Sequence, residues 1–481
     1  MTYGRLLLRL TVVVVLAWVS RVALGQPANG RSPVRRLTLP EALDLARQNY
    51  PLLRAQLASI RAADADQQTV RTTYLPRVGM QAQLLNATSN QVRGAYLSNG
   101  GLTVPISGSI KPNGFTGETN WTSLASLLID WEVVTFGRQQ ADRNRAQLAA
   151  EQAQADYDGE LFTHQVRVCD AYLLALNALK STDVQLANLQ RAEAVQRITR
   201  ANTLAGLKAG IDSAIANAEV ARIRLRLLEE RQQARRQVNQ LSGMIGLPDE
   251  LIELDSMQFY TQLPPLSIGP VVSVASGPHP QLRVFQKRIE QREADAAFIR
   301  MTARPTLALV GSVWGRGSGI RERPAPDESF RINSSLGAGL PLRAFNYMLG
   351  ATLTWRPTEL LRTREALVAQ RERITAERET LTQQAQQLQI DDRNARLQLD
   401  LATEAVRQAP LQLDAARQAY LQAQVRYESG LDNILTLTQT TVLLERAEID
   451  QAIAVNNYWR SLLLRAATAG DLAIFIQQMN R

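Results

Sequence analysis

The sequence predicts a mainly α-helical chain that carries a β-barrel segment of the membrane type and is built twice over. Three observations predict it. Helical patterns run for about 70 residues at a stretch, far beyond what a globular core requires. Short runs of strictly alternating apolar residues precede them. The order of elements then recurs at a nearly constant offset. Composition agrees: Ala, Leu, Gln and Arg dominate the central runs, and aromatic residues are only 5%. The net charge of +9 comes from Arg spread beside Glu and Asp, which describes solvated helix faces and not a nucleic-acid partner.

Residues 1–25 read as an export signal. Arg5 and Arg9 precede an apolar core from Leu10 to Val19, and Ala23-Leu24-Gly25 supplies a small-x-small cleavage site. The core is too short to span a bilayer comfortably, and no cysteine follows it for lipidation. The single Cys169 can form no intrachain disulfide and reads as a small buried hydrophobe. Residues 26–37 are polar, with Pro27, Gly30 and Pro33, and form a flexible lead-in.

A first repeat spans 38–246. Thr38-Leu39-Pro40-Glu41 opens a helix with a capping box and an early proline. The helix breaks at Tyr50-Pro51, resumes, and stops at Leu75-Pro76. Alternation then predicts a strand over 77–85. Some 35 residues rich in Asn, Ser and Gly follow, too long and polar for a domain interior. A second strand covers 121–131, and a proline-free helical pattern begins near Val133 and continues to about Leu204. Gly206 and Gly210 interrupt it before a further helix. Residues 247–277, with Pro248, Pro264, Pro265 and Pro270, are an irregular connection.

The second repeat, 278–470, retraces this order. His279-Pro280 and Arg304-Pro305 answer Tyr50-Pro51 and Leu75-Pro76 at a shift of 229. Trp355, Gly430 and Gly470 answer Trp131, Gly206 and Gly246 at 224, so only the inter-strand loop changed length. Strands are predicted over 306–314 and 345–355, and 471–481 forms a C-terminal tail. In the long helix Leu360, Leu367, Ile374, Leu381, Leu388, Ala395, Ala402 and Ala409 recur every seven residues as a seam for a partner helix. Pro410 follows at once and either kinks or splits that helix.

The sequence offers no catalytic, cofactor or metal constellation. His164 and His279 are its only histidines, and His164, among Gln and Val, reads as a surface residue. Gly315-Arg316-Gly317-Ser318-Gly319 follows a strand but leads into a Pro-rich stretch, so it reads as loop and not as a phosphate cradle. The expected protein is not an enzyme.

Four strands of about ten residues, apolar on one face and ending in aromatics, suit an outer membrane. Only closed barrels of strands are tolerated in a bilayer, so several copies must contribute. On this parity Val78, Met80, Leu127, Ile129, Trp131, Leu307, Leu309, Leu349, Leu353 and Trp355 face lipid, with Tyr347 and Ala351 beside them. Met348, Gly350, Thr352 and Thr354 line the pore. Helices of ~70 residues would reach ~100 Å, enough to cross much of a periplasm.

Over nearly all its mature length the chain resembles the TolC-type outer-membrane efflux channels. The duplicated halves, the prolines before strands one and three, and two glycine turns carry the resemblance. Gly206-Leu207-Lys208-Ala209-Gly210-Ile211-Asp212 is similar to the family's first turn, and Arg426-Tyr427-Glu428-Ser429-Gly430-Leu431 to its second. The resemblance implies a homotrimer with a twelve-stranded barrel continued by a long helical barrel. It implies a periplasmic adaptor protein and an inner-membrane transporter as partners, in an efflux or type I secretion system of a Gram-negative cell. Gly206 and Gly430 would then mark the periplasmic tip, with Asp212 and Tyr427 tying neighbouring helices at the closed entrance. Where the family can carry an arginine and acidic residues, this chain has Asp432, Thr436 and Gln439. Rings of Thr436 and Gln439 would be uncharged; Asp432 either forms an acidic ring or pairs with a neighbouring Arg. The alternative is an exported coiled-coil scaffold that never enters a membrane, which would have no use for an outward apolar band.

Overall fold

The computed structural model describes residues 35–88, 90–91, 109–110, 117, 119–206, 208–248, 252–254, 259–260, 279–324 and 330–479. The expected signal at 1–25, most of the lead-in and most of 247–277 lie outside the described residues. Chain contacts divide the molecule into two units, one of residues 1–51, 163–273 and 392–481, the other of residues 52–162 and 274–391.

In the first of these units, Arg35–Leu37 (β1) pairs in parallel with Ile252–Leu254 (β6). The end of the lead-in and part of the inter-repeat connection are therefore strands, where the sequence suggested irregular chain. Helix α1, Leu39–Asn49, begins at the Thr38 capping box, with Glu41 Oε2 accepting from the Thr38 N–H at 3.0 Å. It buries Leu39, Ala42, Leu43 and Ala46. Tyr172 donates its hydroxyl to the Leu37 carbonyl, fixing the strand to a long helix.

His164 is 1% exposed, contrary to its surface reading. Its ring stacks on Tyr50 at 3.7 Å, and Nε2 lies 2.9 Å from the Met244 carbonyl. A half-polar helix register gave no hint of it, because the burying groups come from two distant segments. Cys169 is fully buried, and loss of solvent pushes its thiol up to about 12.

The second unit holds helix α2 (Pro51–Thr73), strands β2 (Arg77–Thr88) and β5 (Thr119–Val134), and their counterparts α5 (Pro280–Thr302), β7 (Thr306–Ser318) and β10 (Ala344–Thr354). Short pairs Asn90–Gln91 (β3) with Ser109–Ile110 (β4), and Ile320–Pro324 (β8) with Phe330–Ile332 (β9), decorate the loops. The four long strands form one antiparallel sheet in the order β10-β7-β5-β2. Three of them outrun the alternation that predicted them. In β7 the strand continues through Gly315, Arg316, Gly317 and Ser318, so this glycine run is strand and not loop. Glycine is needed there because a Cβ on Gly317 would lie 2.1 Å from the Pro341 carbonyl oxygen.

The two strand-to-helix junctions are built alike. Trp131 Nε1 donates to the Tyr74 carbonyl, and Trp355 Nε1 to the Ala303 carbonyl, both at 3.2 Å. Each indole thus satisfies an orphan carbonyl behind the helix that precedes the sheet.

Helices α3 (Arg138–Leu204), α4 (Gly210–Met244), α7 (Glu359–Glu428) and α8 (Ile434–Ala469) are the longest elements. A four-residue turn of helix, α6 (Leu336–Gly339), lies before β10, and α9 (Ala473–Met479) occupies the C-terminal tail. Pro410 lies inside an unbroken α7, so the helix is not split. Val406, Ala409, Leu413 and Ala416 are buried on either side of it, and this continuous seam outweighs one missing N–H. Leu360, at the other end of the seam, is exposed. Among the described residues no helix is long and apolar enough to cross a membrane.

Candidate functional site

Two places carry the residues singled out from the sequence: the glycine turns and the faces of the sheet. At each turn a helix must stop and reverse, which favours a left-handed residue just past its end. Gly206 has φ +75° and Gly430 φ +74°. Gly246 and Gly470, closing the following helices, have φ +77° and +78°. All four are therefore C-cap glycines, in two pairs 224 residues apart.

The turns are seated on an apolar cluster. Tyr420, Ala423 and Tyr427 of α7 pack with Ile434, Leu437 and Leu444 of α8, joined by Ala216 of α4. Tyr427 is 2% exposed and shares a 2.8 Å hydrogen bond with Thr199 Oγ1 of α3. Lys208 Nζ stands 4.8 Å from the centre of the same ring, a cation–π contact across the first turn. Within the chain, then, Tyr427 reaches Thr199 and Lys208 and not Asp212, which sits half-buried in the first turn of α4. Neither Thr199 nor Lys208 was singled out from the sequence. A hydroxyl inside a long polar helix carries no signal of its partner.

Asp432 pairs with Arg426 of its own hairpin at 3.3 Å and accepts from the Asn433 N–H at 2.9 Å. Within the chain its partner is thus an arginine, one of the two arrangements the sequence left open. The Asn433 N–H, then Thr436 and Arg426, hold its carboxyl below the usual carboxylate range. Asn433 caps α8, its side chain accepting from the Thr436 N–H at 3.0 Å. Thr436 is thereby occupied with capping, and Gln439 is exposed one turn on.

Further along the same helices a buried carboxylate joins the two hairpins. Glu445 of α8, 6% exposed, accepts from Gln185 at 2.7 Å and Asn188 at 2.8 Å, both on α3. One turn on, Arg191 grips Glu448 with two bonds of 3.0 and 2.7 Å. These buried bonds to Glu445 and Glu448 hold register between long helices whose apolar seams would tolerate sliding.

In the sheet, register settles which residues share a face, because directly opposed residues point the same way. Val78 stands opposite Ile129, Met80 opposite Leu127, and Trp131 opposite Leu309. Leu127 and Tyr347 both oppose Val313, Ala351 opposes Leu309, and Leu353 opposes Leu307. One face is thus apolar from edge to edge. The other carries Arg77, Gln81, Asp130, Ser312 and Thr352. An extra residue between Glu132 and Val134 shifts the register at the end of β5. Among the described residues β2 and β10 each have a strand neighbour on one side only.

Residues 42–247 match the family model described as outer membrane efflux protein. Over 410 residues the chain is 24% identical to the pyoverdine export outer membrane protein OpmQ of Pseudomonas aeruginosa, covering 85% of this chain and 80% of that protein. The outer-membrane channel OprN superposes with a TM-score of 0.65 at 20% identity, over 90% of this chain and 89% of that one. VceC, an outer membrane protein of Vibrio cholerae, gives 0.69 at 15% identity, over 90% and 96%. The resemblance to outer-membrane efflux channels holds in both sequence and fold, and the matched family consists of conduits, not enzymes.

Proposed function

We propose that this chain is the outer-membrane exit duct of a tripartite efflux or type I secretion system. Three copies close a twelve-stranded barrel, each edge strand β2 pairing with β10 of the next copy, and the long helices continue the passage through the periplasm. The sheet carries this reading. One face is apolar except at the end away from the helices, where Ser123 and Asn86 lie on it, and its two outer strands leave a row of backbone groups that a bilayer would not tolerate unpaired. Four strands cannot close on themselves around a passage, so neighbouring copies must satisfy the edges. The fold shared with solved outer-membrane channels over nine-tenths of the chain supports it. A soluble scaffold would leave that apolar face in water.

The duct is passive. Gly206 and Gly430 lie at the periplasmic tip, where an adaptor protein docks, and Asp212, Tyr427, Asp432, Thr436 and Gln439 surround the entrance. With Asp432 paired to Arg426, the rings of Thr436 and Gln439 bring no fixed charge with which to hold a cation. The substrate is a small molecule or a protein delivered by an inner-membrane transporter. Fractionation tests the reading: the mature chain should be extracted by detergent from outer membranes as a trimer that conducts in planar bilayers. Recovery as a soluble periplasmic protein would overturn it.

A further inference from the structure

The apolar face of the sheet lacks side chains at one end of β7. On β5 it runs ten residue steps from Trp131 to Trp121, interrupted at Ser123, which is ~33 Å of strand and, at a tilt of ~40°, ~25 Å of bilayer height, the height of an apolar band. At its far end, away from the helices, β7 offers only Gly315 and Gly317, which have no side chains to complete it. The segment from Leu336 to Leu342 lies over this gap. A Cβ on Gly317 would meet the Pro341 carbonyl oxygen, and one on Gly315 would lie 3.2 Å from Leu342 Cδ1. A Cβ on Gly339 would lie 2.0 Å from the Trp121 carbonyl oxygen. The chain is thus pressed onto the same face as Leu127 and Ile129, with Leu336, Leu340 and Leu342 turned outward at 46%, 54% and 37% exposure.

A loop tip in water would be polar and would leave its backbone to solvent. This one is apolar, and several of its polar groups are paired within the protein. The Ala338 N–H donates to the Ser335 carbonyl and the Leu340 N–H to the Leu336 carbonyl. Ser123 Oγ donates to the Leu340 carbonyl, and Arg343 Nη2 to the Ala338 carbonyl. The Arg343 N–H reaches the Arg316 carbonyl, and Pro341 has no N–H to satisfy. Backbone satisfied in this way is what hydrocarbon demands of non-helical chain.

We infer that Leu336–Leu342 is a lipid-immersed rim: a loop segment that lies on the outer wall of the barrel and contacts the acyl chains of the outer leaflet. It fills the apolar band where β7 presents only glycines, between Trp121 of β5 and Phe345 of β10. Arg343, which bonds back into the segment, marks its polar limit. This rests on the membrane reading of the sheet. The partner is the acyl layer, not a protein and not a sugar headgroup.

Spin labels test it in the full-length trimer in phospholipid vesicles, with the buried Cys169 left in place. Labels go at Leu340→Cys, at Leu349→Cys on the apolar face and at Thr352→Cys on the opposite face. Collision with oxygen should exceed collision with a water-soluble nickel chelate at position 340, as at 349. A nickel-accessible 340 beside a lipid-like 349 overturns the rim and leaves the barrel standing. A nickel-accessible 349 overturns the membrane reading, and the rim with it. In a Gly317→Val background the 340 label should shift toward nickel, because the new side chain occupies the seat of Pro341; no shift would show that Gly317 does not seat the segment.

Discussion

At Gly206 and at Gly430 the backbone makes the same left-handed step, within one degree of φ, yet the surrounding bonds differ sharply. Around Gly430 the Leu431 N–H returns to the Arg426 carbonyl at 2.8 Å, Ser429 Oγ donates to Val425, Asp432 holds Arg426, and Asn433 caps the next helix. Around Gly206 backbone N–H groups return to Ala201, Thr203 and Ala209, Thr203 Oγ1 donates to the Thr199 carbonyl, and Ala209 starts α4 without a side-chain cap. The shared glycine sets the path of the chain, while the neighbouring side chains set how firmly it is held. One hairpin therefore arrives fastened, and the other depends on what it packs against.

The largest expected effect comes from the brace between the hairpins. Glu445→Ala leaves the Gln185 and Asn188 amides buried without their acceptor and should destabilise the folded chain by about 3 kcal/mol. Chemical unfolding in detergent measures it, and wild-type stability would mean that the hairpins are held by apolar packing alone. Gly206→Ala and Gly430→Ala should each cost about 1–2 kcal/mol, since both force a side chain into left-handed backbone. Equal losses confirm that the backbone step is common; a markedly smaller loss at one turn would mean that turn can relax.

Capping should separate the turns by sign. Asn433→Ala should cost about 1 kcal/mol, whereas Ala209→Asn should gain up to about 1 kcal/mol by supplying the missing cap. Amide exchange at the start of α8 and of α4 reads the two directly. The smallest effect belongs to Asp432. Its carboxyl is held below the ordinary value, so its support is complete above the unfolded pKa of about 3.9 and is lost as pH falls through the lower folded value. Proteolytic nicking at the second turn should be flat from neutral pH to about pH 5 and rise only in stronger acid. In Asp432→Asn that acid-dependent rise should disappear.

Much of the architecture was legible because it is periodic. Period two placed Val78, Met80, Leu127 and Leu353 on one side of their strands, and the observed register puts them on one face. Offsets of 224 and 229 placed the paired glycines and tryptophans. What periodicity cannot carry is the identity of a partner on another helix. Gln185, Asn188 and Thr199 look like any polar residue of a solvated helix until Glu445 and Tyr427 arrive from more than 200 residues away. His164 was misjudged for the same reason, its burial being made by Tyr50 and Met244. The glycine run in β7 failed differently. Glycine signals both turns and close approach, and nothing local to Gly315 and Gly317 distinguishes the two.

The extra residue between Glu132 and Val134 exists in the first junction, whereas in β10 the pairing runs on evenly to Thr354 opposite Thr306. A bulge sharpens the local twist of its strand. Two otherwise matched junctions, each pinned by a tryptophan, therefore leave the sheet with different twist. In the proposed trimer six junctions would encircle the passage in an alternating sequence, bulged and unbulged. Rotation by a sixth of a turn would not restore the assembly; only rotation by a third would. Any partner meeting the wall would find two kinds of groove, and a binding stoichiometry of three or of six would report whether it tells them apart.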